Sequence, residues 1–152
     1  MFTTMPIKWA TAAWPHTPEN ITSLSHNHIF VYGANESFYH GAGAALKALE
    51  FGAVMRNGPY VGDTYGICTK SKNVKDVLPN VAIQKHVTEM LYRAASESNK
   101  VWAVTKIGCG YDNPYGRGKK AEKLRISEIA PMFRGHTPNV ILPIEFQEYL
   151  KK

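Results

Sequence analysis

The segment spanning residues 29–49 constrains this chain more than any other. An apolar run over residues 29–32 stops at Gly33. A short apolar run bounded by turn residues reads as a buried strand. A small-residue loop follows, carrying Asn35 and His40. Gly41, Ala42 and Gly43 then open directly into residues 44–51, a run of good helix formers that Gly52 is suited to end. A chain that turns through glycines from a strand into a helix leaves bare backbone amides at the turn. Such amides bind anionic oxygens, phosphate above all. The segment points to a nucleotide or phosphate pocket.

The alternation continues downstream. Residues 64–69 read as a second strand, rich in Thr, Tyr and Ile, after a loop marked by Gly58, Pro59 and Gly62. Residues 71–79 are a polar loop. Asn80 is expected to cap a helix whose Ile83, Val87, Met90, Leu91, Ala94 and Ala95 share one stripe, fading over 96–99. Residues 101–107 form the clearest strand, stopped by Gly108, Cys109 and Gly110. Residues 112–123 read as a loop. Ser127 is the expected cap of a helix over Ile129, Ala130 and Phe133. Residues 139–143 read as the last strand, with 147–152 trailing. The order predicts an α/β domain, with helices covering a mixed, largely parallel sheet.

At 152 residues this is expected to be one domain, 1–152. Its core is 29–146, and 1–28 is an irregular arm. Trp9, Trp14 and Ile21 anchor the arm, while Pro6, Pro15 and Pro18 break any long element in it. Pro18, Glu19 and Asn20 can open one short helical turn. The 18 Lys and Arg outnumber the 12 Asp and Glu, for a net charge of +6. That balance suits anionic partners, nucleotides or nucleic acid, or is simply a basic surface. Cys68 and Cys109 form no CxxC pair, so neither a disulfide framework nor a metal site is expected. Reduced thiols suit a cytoplasmic protein. The first eight residues lack the basic start and apolar core of a signal peptide, and no run nears the roughly 18 apolar residues of a membrane span. No membrane partner, metal or cofactor is expected.

Ligands of open α/β sheets sit beyond the carboxyl ends of the strands. Two glycine-rich loops occupy such positions here, Gly33 through Gly43 and Gly108 through Tyr111. They either grip the two ends of one phosphate group or serve as tight turns. Neither carries GxGxxG or the Lys-Ser/Thr ending of a P-loop. Asn35 offers an amide to ribose hydroxyls, or stabilises its own turn. His40 is a general base toward water or a hydroxyl, or an exposed loop histidine. Thr69 and Lys70 end a strand and face the pocket or solvent. Cys109 is a reactive thiol only if its pKa is depressed, and otherwise a small spacer. Tyr111 stacks on a base or ribose, or packs. The run Arg117, Lys119, Lys120, Lys123 and Arg125 touches a nucleic-acid backbone or is a solvated loop.

These segments resemble the macro domain family, over roughly residues 29–146. Family members carry a V-N-A-A-N segment, then glycines, then a helix. Val31-Tyr32-Gly33-Ala34-Asn35 fits the first part. His40-Gly41-Ala42-Gly43-Ala44-Ala45 is similar to the H-G-G-G-V-A form of viral macro domains, and Phe51-Gly52-Ala53 stands near the helix end. Thr105-Lys106-Ile107-Gly108-Cys109-Gly110-Tyr111 resembles the second phosphate loop. The chain is also similar to bacterial and phage macro-like proteins sharing F-G-x-N, H-G-A-G-A-A and I-G-C-G. The resemblance implies a three-layer α/β/α fold that binds ADP-ribose. It places Asn35 at the distal ribose. Gly33, Ala34, Gly41, Ala42, Gly43 and Ala44 would lie along the ligand. Gly108, Cys109 and Gly110 would close over the phosphates. Asn35 and His40 match the catalytic Asn and His of phosphatase-type members. The implied activity is hydrolysis at the ribose carbon of ADP-ribose derivatives, release of phosphate from ADP-ribose 1″-phosphate included. Binding of ADP-ribose without turnover is the alternative, and nucleic-acid binding a third. One hydrolase branch has an acidic residue where this chain has Ala45. The family's adenine-contacting Asp has no match in residues 1–28.

Overall fold

The computed structural model describes residues 14–152. It is an α/β structure around a five-stranded sheet of order β2-β3-β1-β4-β5. The strands are β1 (His28–Asn35), β2 (Tyr60–Val61), β3 (Thr64–Lys70), β4 (Val101–Val104) and β5 (Val140–Ile141). The helices are α1 (Gly43–Ala48), α2 (Asn80–Ser96), α3 (Lys119–Ile129) and α4 (Ile144–Leu150). β1 runs parallel to both β3 and β4, and β4 is parallel to β5. Only β2 is antiparallel.

Both sheet faces are covered, so the central strands are apolar throughout. Ile29, Val31, Ile67, Trp102 and Val104 turn to one face, where α2 lays down Ile83, Val87, Met90 and Ala94. Ile126, Ile129 and Phe146 bring α3 and α4 to the same face. Phe30, Tyr32 and Ala34 turn the other way, onto Ala48 and Ile21. Trp14 completes that face against Val101, Ala103 and Ile141. α1 and residues 14–24 thus cover one face, and α2 to α4 the other. Trp9 and Pro6 lie outside the described residues.

Several boundaries differ from the expected ones, each for a local reason. β4 ends at Val104 rather than 107, because Thr105 turns aside and gives both its backbone N–H (3.0 Å) and its hydroxyl (2.8 Å) to the Val31 carbonyl. Asn80 is the first residue of α2 and makes no cap bond. Its side chain serves Glu128 and Arg125 instead. α3 begins at Lys119, inside the expected loop, and Ser127 is interior to it. The expected trailing segment is α4, held down by buried Phe146. β2 is two residues long, too short for a periodic signal. No helical turn forms at Pro18; Thr17 bonds the Leu142 carbonyl instead and extends the edge beyond β5.

The connections decide where a ligand can sit. β1 leaves the sheet toward α1 on one face. β3 and β4, its neighbours on either side, leave toward α2 and α3 on the other. Loops that depart to opposite faces leave a crevice at the carboxyl ends between them.

Candidate functional site

A cavity of about 460 Å³ fills that crevice. This lies within the roughly 300–1,000 Å³ usual for small-molecule sites. The end of β1 forms its floor with Gly33, Ala34 and Asn35. One wall is the first glycine loop, with Tyr39, Gly41, Ala42, Gly43 and Ala44. The other is the second loop, with Gly108, Gly110, Tyr111 and Asp112. Thr69 and Lys70 close the end of β3. The walls meet: a Cβ added to Gly43 would lie 3.3 Å from the Tyr111 ring, and Gly43 has φ +58°. A side chain there would be strained and would push the loops apart.

The cavity also holds a carboxylate that the sequence did not single out. Asp112 Oδ2 accepts the Thr69 hydroxyl (2.5 Å) and the Gly108 N–H (3.1 Å), and its Oδ1 accepts the Gly110 N–H (3.3 Å). The second loop therefore spends its amides on its own carboxylate. Three donors occupy three of the roughly four acceptor positions of a carboxylate, leaving one on Oδ1 for water or a ligand hydroxyl. Two backbone features bring these groups together. The β1–β3 register slips between Ala34 and Asn35, so that Thr69 is the extra residue of a bulge. Bulges re-aim a side chain, and this one turns Thr69 toward Asp112. Gly33 supplies the space, since a Cβ there would lie 3.2 Å from Asp112 Oδ2.

Asn35 lines the cavity, but its side chain is mostly engaged in its own turn. Oδ1 accepts from the Ser37 N–H (3.2 Å), the Ser37 hydroxyl (2.6 Å) and the Tyr39 N–H (3.0 Å), and Nδ2 donates to the Tyr39 carbonyl (2.7 Å). One amide hydrogen remains for a ligand. His40 is not in the cavity. It is 1% exposed, and its Nε2 shares a 2.7 Å hydrogen bond with the Tyr32 hydroxyl beneath the loop. A general base must reach the proton it takes, so the catalytic role expected of His40 has no geometry here. Cys109 also faces away. Burial pushes its thiol up to about 12, with the Asp112 and Glu122 charges adding to the effect, so it is a thiol at neutral pH and the spacer of the two expectations.

The cations divide sharply. Lys106 contributes to the wall, but its Nζ is held by Glu19 (3.3 Å), Glu122 (3.2 Å) and Glu145 (3.6 Å). Lys70 forms no ion pair among the described residues and lines the cavity as an unopposed cation. Arg125, expected with the basic run, is 1% exposed and is not a surface group. Among the described residues, no group of three or more His, Cys, Asp or Glu is placed to hold a metal ion. None of their helices is long and apolar enough to cross a membrane.

No family model, curated protein or solved structure matches this chain. The missed residue, Asp112, had one signal in the sequence. It is the first carboxylate after the Gly108–Gly110 corner, and a carboxylate beside a strand-end loop is a candidate acid or base.

Burial gives the stability of the fold a pH dependence. It holds the His40 imidazole below the ordinary 6.5, against a smaller opposing effect from the Phe38 backbone. Burial, and then His26, do the same to His28. The unfolded chain binds these protons at a higher pH than the folded one. Stability is therefore complete above about pH 6.5 and is lost as pH falls through that value toward the lowered folded pKa. The unfolding midpoint is expected to drop between about pH 7 and pH 5, and His40→Gln to flatten part of that slope. Thermal melts across this range check it, and an unchanged slope in the variant would exclude His40 as a source.

Proposed function

We propose that this chain is a macro-type module that binds ADP-ribose derivatives in the crevice and hydrolyses the bond at the distal ribose carbon. The observation that supports it is the mix of groups lining the cavity. Residues 41–45 present bare backbone at the start of α1, which has no side-chain cap. The opposite wall carries the Asp112 carboxylate, and Lys70 closes the end of β3. A diphosphate is repelled by a carboxylate and suited to bare amides and to the Lys70 ammonium. The one open acceptor position of Asp112 suits a water held beside a ribose. A ligand with a diphosphate next to a ribose uses both walls.

In this reading Asp112 takes the acid–base role that the family resemblance gave to His40. Its free Oδ1 position accepts a proton from a water that attacks C1″ of the ribose. The C1″–O bond breaks as the new C–O bond forms, and the leaving oxygen departs with the bonding electrons. From ADP-ribose 1″-phosphate the products are ADP-ribose and inorganic phosphate. Thr69 and Gly108 fix the carboxylate, and Asn35 holds the first loop in shape.

Calorimetric titration tests the binding step. Heat is expected with ADP-ribose and none with AMP or ribose 5-phosphate, because neither of these carries a diphosphate next to a ribose. Equal heats for all three, or none for ADP-ribose, would remove the proposal. A second reading, retention of ADP-ribose without turnover, is favoured by the near-saturation of Asn35 and by Ala45 in the acidic position of one hydrolase branch. Phosphate release from ADP-ribose 1″-phosphate separates the two.

A further inference from the structure

The mouth of the crevice carries more aromatic and basic surface than a small nucleotide would cover. Its two lips each carry an exposed tyrosine, Tyr39 (45% exposed) on the first loop and Tyr111 (64% exposed) on the second. Each tyrosine has an arginine over its ring. The Arg56 guanidinium carbon lies 6.0 Å from the Tyr39 centroid, and that of Arg117 lies 4.4 Å from the Tyr111 centroid. Arg56 is held beside the first loop by a 2.8 Å bond from its N–H to the Phe38 carbonyl. Its φ of +62° is a conformation that favours glycine. Beyond Arg117 the same surface continues onto α3 with exposed Lys119, Lys120 and Lys123. The spacings 119/123 and 120/123 put these three on one side of the helix.

This charge is not there to stabilise α3. Cations in the first turn of a helix oppose its macrodipole. No ion pair holds Arg117, Lys119, Lys120 or Lys123 among the described residues. The one acid within the run, Glu122, is turned to Lys106. Four unpaired cations, among them the Arg117 that lies over Tyr111, together with the Arg56–Tyr39 pair thus form a band from the crevice mouth onto α3. Cations spaced along a groove track a phosphate backbone, while aromatic faces and guanidinium planes take up unstacked bases. Stacking surfaces at a narrow mouth suit a flexible strand rather than a duplex, whose bases are already stacked.

We propose that this band binds single-stranded nucleic acid across the mouth of the crevice. Phosphates lie on Arg117, Lys119, Lys120 and Lys123, and bases lie on the Tyr39–Arg56 and Tyr111–Arg117 stacks. The proposal goes beyond the nucleotide reading of the crevice and does not need it.

Fluorescence anisotropy tests it, using labelled single-stranded DNA and RNA of about a dozen nucleotides, a length matched to known single-strand site sizes. A hairpin duplex of the same sequence and polyglutamate serve as competitors. Three to four neutralised phosphates give a slope of log K against log salt of about −2 to −3. The triple variant Lys119→Gln, Lys120→Gln, Lys123→Gln is expected to reduce that slope by about 2. These side chains are exposed, so its circular dichroism should be unchanged. Arg56→Ala with Arg117→Ala is expected to weaken binding of the single strand about tenfold or more, on the usual scale of base stacking. No binding at low salt, a slope unchanged in the triple variant, or equal binding of duplex or polyglutamate would overturn the proposal. The ADP-ribose titration is independent. A strand that binds while ADP-ribose gives no heat sustains this inference and removes the other; the reverse outcome removes only this one.

Discussion

Asp112→Asn is expected to lower turnover of an ADP-ribose derivative by about 100- to 10,000-fold, the usual worth of a positioned general base. Binding of ADP-ribose is expected to change little. With its oxygen in the Oδ2 position Asn still accepts the Thr69 hydroxyl and the Gly108 N–H; only the 3.3 Å bond from the Gly110 N–H is lost, and the nearly equal size lets the second loop hold its shape. What it loses is the ability to take a proton. The variant therefore splits kcat from KM, as a group needed mainly in the transition state should. His40→Gln is the contrasting variant. His40 lies beneath the loop on Tyr32, so its replacement should lower the melting temperature and leave turnover nearly intact. Phosphate release under saturating substrate, with calorimetry on the same preparations, checks both. Full turnover in Asp112→Asn would remove Asp112 from the reaction. A loss of turnover in His40→Gln without a loss of stability would restore the histidine to it.

The two glycine corners were legible in the sequence because each lies just past an apolar run, Gly33 directly after residues 29–32 and Gly108 shortly after β4, and glycine after a strand has few other uses. α2 was legible because Ile83, Val87, Met90 and Ala94 repeat at helical spacing with no polar interruption, and all four are buried. α3 was hidden by one residue. Its inward line runs Ala121, Arg125, Ile129, and all three are buried. The arginine breaks the apolar period, and the lysines before it read as loop. His40 was misplaced for a related reason. A histidine next to glycines reads as exposed, and its burial depends on a hydroxyl partner presented by Tyr32 on the strand below. Nothing in the local sequence places Asp112. Its position depends on a bulge at Thr69 and on the turn of residues 110–112 back onto Gly108, both set by tertiary pairing rather than by local pattern.

The same arginine carries the largest expected effect on stability. The Arg125 side chain is 2% exposed, and it ties three elements together. Its Nε donates to the Gly108 carbonyl at 3.2 Å, and its NH1 donates to Asn80 Oδ1 at 2.6 Å and to Glu128 Oε1 at 3.1 Å. Gly108 is the pivot of the second loop, Asn80 begins α2, and Glu128 closes α3. Glu128 also accepts from Asn80 (3.1 Å) and Tyr115 (2.8 Å). Together with Arg125 these donors hold its carboxyl below the ordinary range, although burial alone would raise it. Arg125→Ala removes the cation and leaves three acceptors short of donors. Breaking a buried pair from one side typically costs about 3–5 kcal/mol. The lower end applies here, because the Glu128 side chain is 28% exposed and water can reach it. About 3 kcal/mol corresponds to a fall of roughly 6–12 °C in Tm for a chain of this size. Arg125→Lys should recover only part of it, since an ammonium on a shorter reach cannot serve Gly108, Asn80 and Glu128 together. The loss should also reach the site, because freeing the Gly108 carbonyl loosens the loop whose N–H groups hold Asp112. Arg125→Ala is therefore expected to weaken ADP-ribose binding at temperatures where the variant is still folded. Thermal melts and calorimetry below the transition measure the two effects separately. A Tm within about 2 °C of the parent, a change of under about 1 kcal/mol, would show that α2, α3 and the loop hold together without this strut.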